Sequence, residues 1–367
     1  MQPFALERYF ARHEFRTKYV LSASDCEALT QKELLSLADA ECGKLWQNLK
    51  LSYTETLGHP ALLRAIAGLY RTVASDHLLV AAPEELIYIA MRVLLERGDH
   101  IVVTTPAYQS LHEIAASIGC TVHSWSLEPT RDGWNLDLQF LKDHVDDATK
   151  LIVINFPHNP TGHHISPDIQ RNIIEIARTR GIRIFSDEMY RGAEYRAEDM
   201  LPAMVDEYEK GISLWGLSKS FALPGLRVGW LATKDEEFLR DCARLRDYLT
   251  ICNSAPAEIL GIIAVREHKK ILQRTRDLLM KNLAVADEFF GQRSNSFTWL
   301  RPKAGSVAFP ALRLSIPVEQ FCTNLIDSKN LLITPGSLFQ YPGNHFRIGL
   351  GRADFTQAVA ILGDSLG

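Results

Sequence analysis

Five short runs that are apolar almost throughout constrain this chain more than any other feature: residues 101–105, 151–156, 182–186, 212–217 and 228–233. A strand with one wet face alternates polar and apolar residues. Runs without that alternation belong to strands covered on both faces. The segments between them carry helical periodicity, so the pattern predicts βαβ units and a mainly parallel sheet. One helix opens at Pro60, a favourable first helical position, and places Leu62, Ile66, Leu69 and Val73 on one face. A second covers about 84–97 and stops at Gly98; a third covers about 167–179 and stops near Gly181. From about 258 to 290 one long charged helix leads into a smaller C-terminal unit. Its short strands are expected at 297–301, 306–309, 331–334 and 346–350, with a closing helix near Phe355.

With 367 residues and 46% apolar composition, the chain can bury a large core and form two domains. Its formal net charge is −4 and no block of like charge occurs, which argues against nucleic acid or an anionic membrane surface as partners. No apolar run reaches the roughly 18 residues of a membrane span. Residues 1–10 already contain Glu7 and Arg8 and lack the apolar centre of a signal peptide. The six cysteines are scattered without a Cys-x-x-Cys. They read as reduced thiols, and a cytoplasmic protein is expected.

Residues capable of chemistry fall just past the C-terminal ends of the expected strands, the edge where open parallel sheets bind ligands. Tyr108 follows the first run, Asn159 the second, Asp187 and Tyr190 the third, and Lys219 the fourth. A lysine ending a buried strand is poorly placed as a solvated cation. It is well placed to form a Schiff base, because desolvation favours the uncharged, nucleophilic amine. Arg227, eight residues on, adds a permanently charged fork suited to a phosphate. Lysine, the Ser218 hydroxyl and arginine together suggest pyridoxal 5′-phosphate (PLP), with its aldehyde on Lys219 and its phosphate between Ser218 and Arg227. Asp187 can pair with a protonated pyridine nitrogen. Asn159 and Tyr190 can donate hydrogen bonds to the ring oxygen, and Tyr108 can stack on the ring face. His158, His163 and His164 cluster around the same turn, but their spacing fits no standard zinc pattern and no metal is expected.

Four ordered motifs resemble those of class I/II aminotransferases of PLP fold type I: Asn159-Pro160-Thr161-Gly162, Asp187-Glu188-Met189-Tyr190, Ser218-Lys219 with Gly225-Leu226-Arg227-Val228-Gly229-Trp230, and Phe346-Arg347. The resemblance covers nearly the whole chain. It implies an α/β large domain with a mainly parallel, seven-stranded type of sheet (41–269), and a smaller α+β domain made from 1–40 and 270–367. It implies catalytic roles for Lys219, Asp187 and Tyr190, with Lys219 carrying the cofactor and shuttling protons. Arg347 would hold the substrate α-carboxylate, assisted by Asn159. Tyr53 would reach the phosphate of the neighbouring subunit in a homodimer. The bonds Thr105–Pro106 and Asn159–Pro160 would be cis.

Two departures stand out. Where relatives carry a Gly-Ala or Ser-Gly-Thr type of phosphate cup, this chain has Ala82-Pro83-Glu84-Glu85. Pro83 has no N–H to give, and a glutamate there repels a phosphate unless it points away. The Glu84 amide and the helix dipole still favour an anion, so Ala82 and Glu84 are kept as cofactor-binding positions. In addition, Gly216 stands where many relatives place a hydroxyl. The resemblance implies amino transfer between an α-amino acid and a 2-oxo acid. A rival keeps the cofactor but eliminates or replaces a β-substituent, or cyclises its substrate in the manner of capreomycidine synthase. A PLP-binding regulator is disfavoured, since no basic DNA-binding segment is present.

Overall fold

The computed structural model describes residues 1–131 and 133–366. Its centre is an eight-stranded sheet built from β1 (Leu78–Ala81), β2 (His100–Thr105), β3 (Thr121–Thr130), β4 (Gly133–Leu136), β5 (Thr149–Asn155), β6 (Arg183–Asp187), β7 (Gly211–Gly216) and β8 (Gly229–Thr233). The spatial order is β1-β8-β7-β6-β5-β2-β3-β4. Neighbours from β7 through β3 run parallel, whereas β8 is antiparallel to both of its neighbours and β4 to β3. All five runs singled out in the sequence are strands of this sheet.

The sheet differs from the seven-stranded expectation by β4, which folds back on β3 as an antiparallel edge hairpin. β3 has one wet face, with Trp125 and Leu127 buried between exposed Ser124, Ser126 and Glu128. It therefore lacks the continuous apolar signature of the inner strands, and the sequence pattern passed over both it and its partner.

Helices cover both faces of the sheet. The Pro167–Arg180 helix starts where Ser166 accepts the Ile169 N–H and ends at Gly181, which takes the left-handed conformation at φ 66°. The Pro60–Ala67 helix buries Leu62 and Ile66 as expected, but stops before Leu69 and Val73. The single long helix expected over 258–290 is two helices, Ala255–Arg266 and His268–Gly291, broken at Glu267 (φ −96°, ψ 19°). The first is buried from Ala257 to Val265 against the Pro60–Ala67 helix and the short N-terminal helices. The second is amphipathic and packs on the C-terminal unit. One straight axis could not serve both surroundings.

The C-terminal unit holds a small antiparallel sheet in which Phe346–Gly349 (β9) lies between Val307–Ala308 and Thr334–Pro335. Residues from the start of the chain join it. Tyr19–Val20 pairs with Leu331–Leu332, and Leu21 and Cys26 share an apolar cluster with Phe297, Phe321, Phe346 and Phe355. This arrangement carries the 19–26 segment across the carboxyl edge of the large sheet. Among the described residues no helix is long and apolar enough to cross a membrane.

Candidate active site

The carboxyl ends of β5 and β6 are level, because Asn155 and Asp187 are register partners. Beyond that edge lies a cavity of about 560 Å³, within the usual size range of small-molecule sites. Of the residues proposed from sequence, Glu84, Tyr108, Asn159, Asp187, Tyr190, Ser218, Lys219, Arg227 and Arg347 line it. Ala82 and Tyr53 do not. Ala82 faces an adjoining recess together with Glu85, Arg227 and Asn253, and Tyr53 is 88% exposed.

Asp187 closes β6 and is buried, its Oδ1 accepting the Met189 N–H at 3.0 Å. Burial pushes its carboxyl up to about 7, against the opposing effects of that N–H and of Lys219. Such a group gains most from a cation placed against it. Asn155, which the sequence reading missed, ties the floor together. Its Nδ2 donates to Asp187 O at 2.9 Å and its Oδ1 accepts from Asn159 N at 2.8 Å. A polar residue ending an apolar run was the signal that could have found it.

Asn159 sits in a tight turn closed by Gly162 at φ 66°. A Cβ on Gly162 would lie 2.4 Å from Pro302 Cβ and 2.5 Å from Val307 O, so only glycine fits. The bonds Thr105–Pro106 and Asn159–Pro160 are cis, as expected, and so is Phe156–Pro157, which was not foreseen. The three nearby histidines are buried, and desolvation holds His163 and His164 down at about 3 and about 4. His158 Nδ1 contacts Thr161 Oγ1 at 2.8 Å, a bond internal to the turn.

Lys219 Nζ donates to Ser24 Oγ at 2.7 Å. Close by, the Tyr190 hydroxyl and Ser218 Oγ are buried and have no partner among the described residues. Buried polar atoms are nearly always satisfied, so these two mark places where a bound molecule would supply the missing bonds. The Tyr108 hydroxyl donates to Glu7 Oε1 at 2.8 Å, and its ring leans on Phe4 with centroids 4.9 Å apart. Arg227 adopts a positive φ of 55° after a single helical turn and is exposed at the cavity rim, where Nη1 donates to Pro224 O at 3.2 Å.

Glu84 does not point away from the cavity, as a phosphate beside it would require of a charged carboxylate. Its side chain lines the site and accepts from Ser110 Oγ at 3.2 Å. Burial, reinforced by Glu7 and Asp187, pushes its carboxyl up to about 7. At neutral pH it therefore carries less negative charge than an ordinary glutamate.

Arg347, on β9, is only 1% exposed. Both of its hydrogen bonds go to neutral oxygens: Nη1 to Asn159 Oδ1 at 3.1 Å and Nη2 to Ser22 O at 3.0 Å. Its Nε is buried and unpartnered among the described residues, and burial lowers its pKa from the usual guanidinium value. A buried guanidinium held by neutral groups is a ready receptor for a carboxylate.

The family model described as aminotransferase class I and II matches residues 16–360. The chain is 27% identical over 367 residues to capreomycidine synthase of Streptomyces vinaceus, covering 99% of this chain and 93% of that protein. It is 26% identical over 304 residues to an aspartate aminotransferase of Sulfolobus acidocaldarius, covering 78% of this chain and 74% of the other. Among solved structures it superposes on a PLP-dependent aminotransferase from Streptococcus suis with a TM-score of 0.93 and 30% identity, covering 100% and 97% of the two chains. It superposes on a PLP-dependent cyclase with a TM-score of 0.92 and 29% identity, over the same shares.

Proposed function

The chain belongs to the class I and II aminotransferase family, and from that premise we propose that it moves an amino group between an α-amino acid and a 2-oxo acid. The cofactor is pyridoxal 5′-phosphate, which when bound supplies an electron sink for the substrate Cα. The single observation carrying the substrate class is Arg347, a buried guanidinium with only neutral partners inside the cavity.

Each residue has a role on this reading. Lys219 holds the cofactor and moves the Cα proton. The Asp187 carboxylate binds the pyridine nitrogen. Tyr190 and the Asn159 amide donate to the ring oxygen, while Tyr108 covers the ring face. Ser218 and Arg227 hold the phosphate, with Ala82 and Glu84 at the helix end beside it. Arg347 binds the α-carboxylate and so orients the Cα–H bond. We further read 41–269 as the cofactor domain and 1–40 with 270–367 as the small domain; the apolar cluster that Leu21 and Cys26 share with the C-terminal unit supports this for the 19–26 segment, while Leu6 and Leu34 pack in clusters of the large domain. A cytoplasmic homodimer completes the reading. Exposed Leu51 and Tyr53, and exposed Tyr248 and Ile251, support a second copy covering that surface, and the six free cysteines fit a reducing compartment.

A second reading is favoured by the capreomycidine synthase likeness, which spans 99% of the chain, and by the fit to a PLP-dependent cyclase. Here the same residues remove the Cα proton, and the electron pair left at Cα expels a β-substituent; the unsaturated product either hydrolyses to a 2-oxo acid and ammonia or adds a nucleophile, which closes a ring when that nucleophile is the substrate's own. Purified enzyme offered a panel of α-amino acids with a 2-oxo acid acceptor separates the two. A new amino acid formed from the acceptor indicates transfer. Pyruvate with ammonia, or a cyclic product, indicates the second chemistry.

A further inference from the structure

We propose that Ser24 is a positioning residue that holds the Lys219 amine ready to exchange a proton with the substrate Cα. The inference rests on the cofactor chemistry proposed above and applies equally to amino transfer and to cyclisation, since both begin by removing that proton.

Ser24 Oγ accepts a hydrogen bond from Lys219 Nζ at 2.7 Å. A lysine side chain is flexible at four bonds, and fixing it costs rotamer entropy. A tether that aligns the amine in advance lowers what must be ordered during reaction. The tether is itself fixed, by backbone contacts. Gly349 N donates to Leu21 O at 2.6 Å, Ser306 Oγ donates to Ser24 O at 2.6 Å, and Glu27 N donates to Gly351 O at 2.7 Å. A Cβ on Gly349 would stand 1.7 Å from Ala23 O, so the segment lies directly against β9.

The same segment accepts from Arg347, through Ser22 O at 3.0 Å. One short strap therefore touches both the amine that handles the Cα proton and the guanidinium that would hold the α-carboxylate. Their relative position, and not either one alone, decides whether the amine lies in line with the Cα–H bond. In the step, the uncharged amine keeps one N–H on Ser24 Oγ and its lone pair takes the Cα proton. The electron pair of the C–H bond would stay on the substrate Cα, for which the bound cofactor would supply the electron sink. The ammonium so formed returns the proton later.

The backbone clamps do not involve the Ser24 hydroxyl, so Ser24→Ala removes the tether and leaves the strap in place. The measurement is exchange of the substrate Cα–H with solvent deuterium, followed by NMR on PLP-loaded enzyme, with bound PLP quantified by absorbance. Exchange is expected to slow by about tenfold or more in Ser24→Ala and to stay near wild type in Ser24→Thr, with PLP content unchanged. The loss should fall on kcat and not on KM. Exchange in Ser24→Ala within about twofold of wild type, with PLP bound, would overturn the role of Ser24 alone. Wild-type enzyme that binds PLP but exchanges no α-amino acid would overturn both this inference and the function it rests on.

Discussion

Pro83 stands directly over Gly229: a Cβ on Gly229 would meet Pro83 Cγ at 2.7 Å and Trp215 O at 2.9 Å. Gly216 is the cross-strand partner of Gly229, and a Cβ there would lie 2.8 Å from Gly229 Cα and 3.3 Å from Pro83 Cγ. The proline ring thus fills space that a side chain at either strand position would need. The proline is the nearest obstacle at Gly229, whereas at Gly216 the backbone of Gly229 and of Val228, whose O would lie at 3.0 Å, excludes a side chain before Pro83 does. Gly229→Ala should destabilise the fold by about 1–3 kcal/mol. Adding Pro83→Ala should recover only part of that, because Trp215 O remains in the way. Thermal unfolding of both variants checks this; strict additivity would contradict the contact.

Lys219 should be the one lysine that carries the cofactor. Purified enzyme with PLP should absorb in the visible, and borohydride followed by peptide mapping should place the label on Lys219. Lys219→Ala should lose nearly all turnover and still bind PLP through its other contacts. A label on a different lysine would refute the assignment.

Arg347→Lys should raise KM for the amino acid by about 10–100-fold, the equivalent of about 1.5–3 kcal/mol for a charge-assisted bond, and leave PLP absorbance intact. Lysine keeps the charge but not the planar fork. Equal activity on the decarboxylated amine would show that no α-carboxylate is being read at this position.

Asp187 links stability to pH in the cofactor-free protein. Its carboxyl is raised from 3.8 to about 7 by burial. Between those values the folded state holds a proton that the unfolded state has released, so this group's contribution to stability falls as pH rises through the window. A neutral amide at this position has no such proton to lose. Cofactor-free Asp187→Asn should therefore melt higher than wild type at about pH 8, by a few degrees, and the advantage should vanish below about pH 4. Melting curves across that range test it; an advantage independent of pH would locate the effect elsewhere.

Tyr53 should act on the other subunit. It is 88% exposed in a single chain and lines no part of that chain's own cavity. The active species should sediment as a dimer, and Tyr53→Phe should weaken PLP binding by about tenfold, as loss of one hydrogen bond to a charged group requires. An active monomer, or unchanged PLP affinity, would rule the crossing out.

The doubly covered strands were legible in the sequence because a strand buried on both faces must be apolar throughout, and the residues ending β2, β5, β6 and β7 stand where the topology brings strand ends together. Edge strand β3 and its partner β4 were not, because a strand with one wet face resembles any amphipathic segment. That motif residues such as Asn159, Asp187, Lys219 and Arg227 would meet at one cavity could be read because each lies within a few residues of an element that positions it. Arg347 was legible as a charge stranded in an apolar run. Asn155, a polar residue ending an apolar run, carried a sign that was overlooked, whereas Ser24 and Glu7 carry none. Ser24 reaches the cavity because the 19–26 segment pairs with Leu331–Leu332 and lies against β9, Asn155 through the register between β5 and β6, and Glu7 because the Ala5–His13 helix brings it to the Tyr108 hydroxyl. Contacts between segments so far apart in the chain are chosen by packing of the whole core, which acts on surface shape and buried area; a local pattern of residues records only the periodicity and chemistry of its own segment.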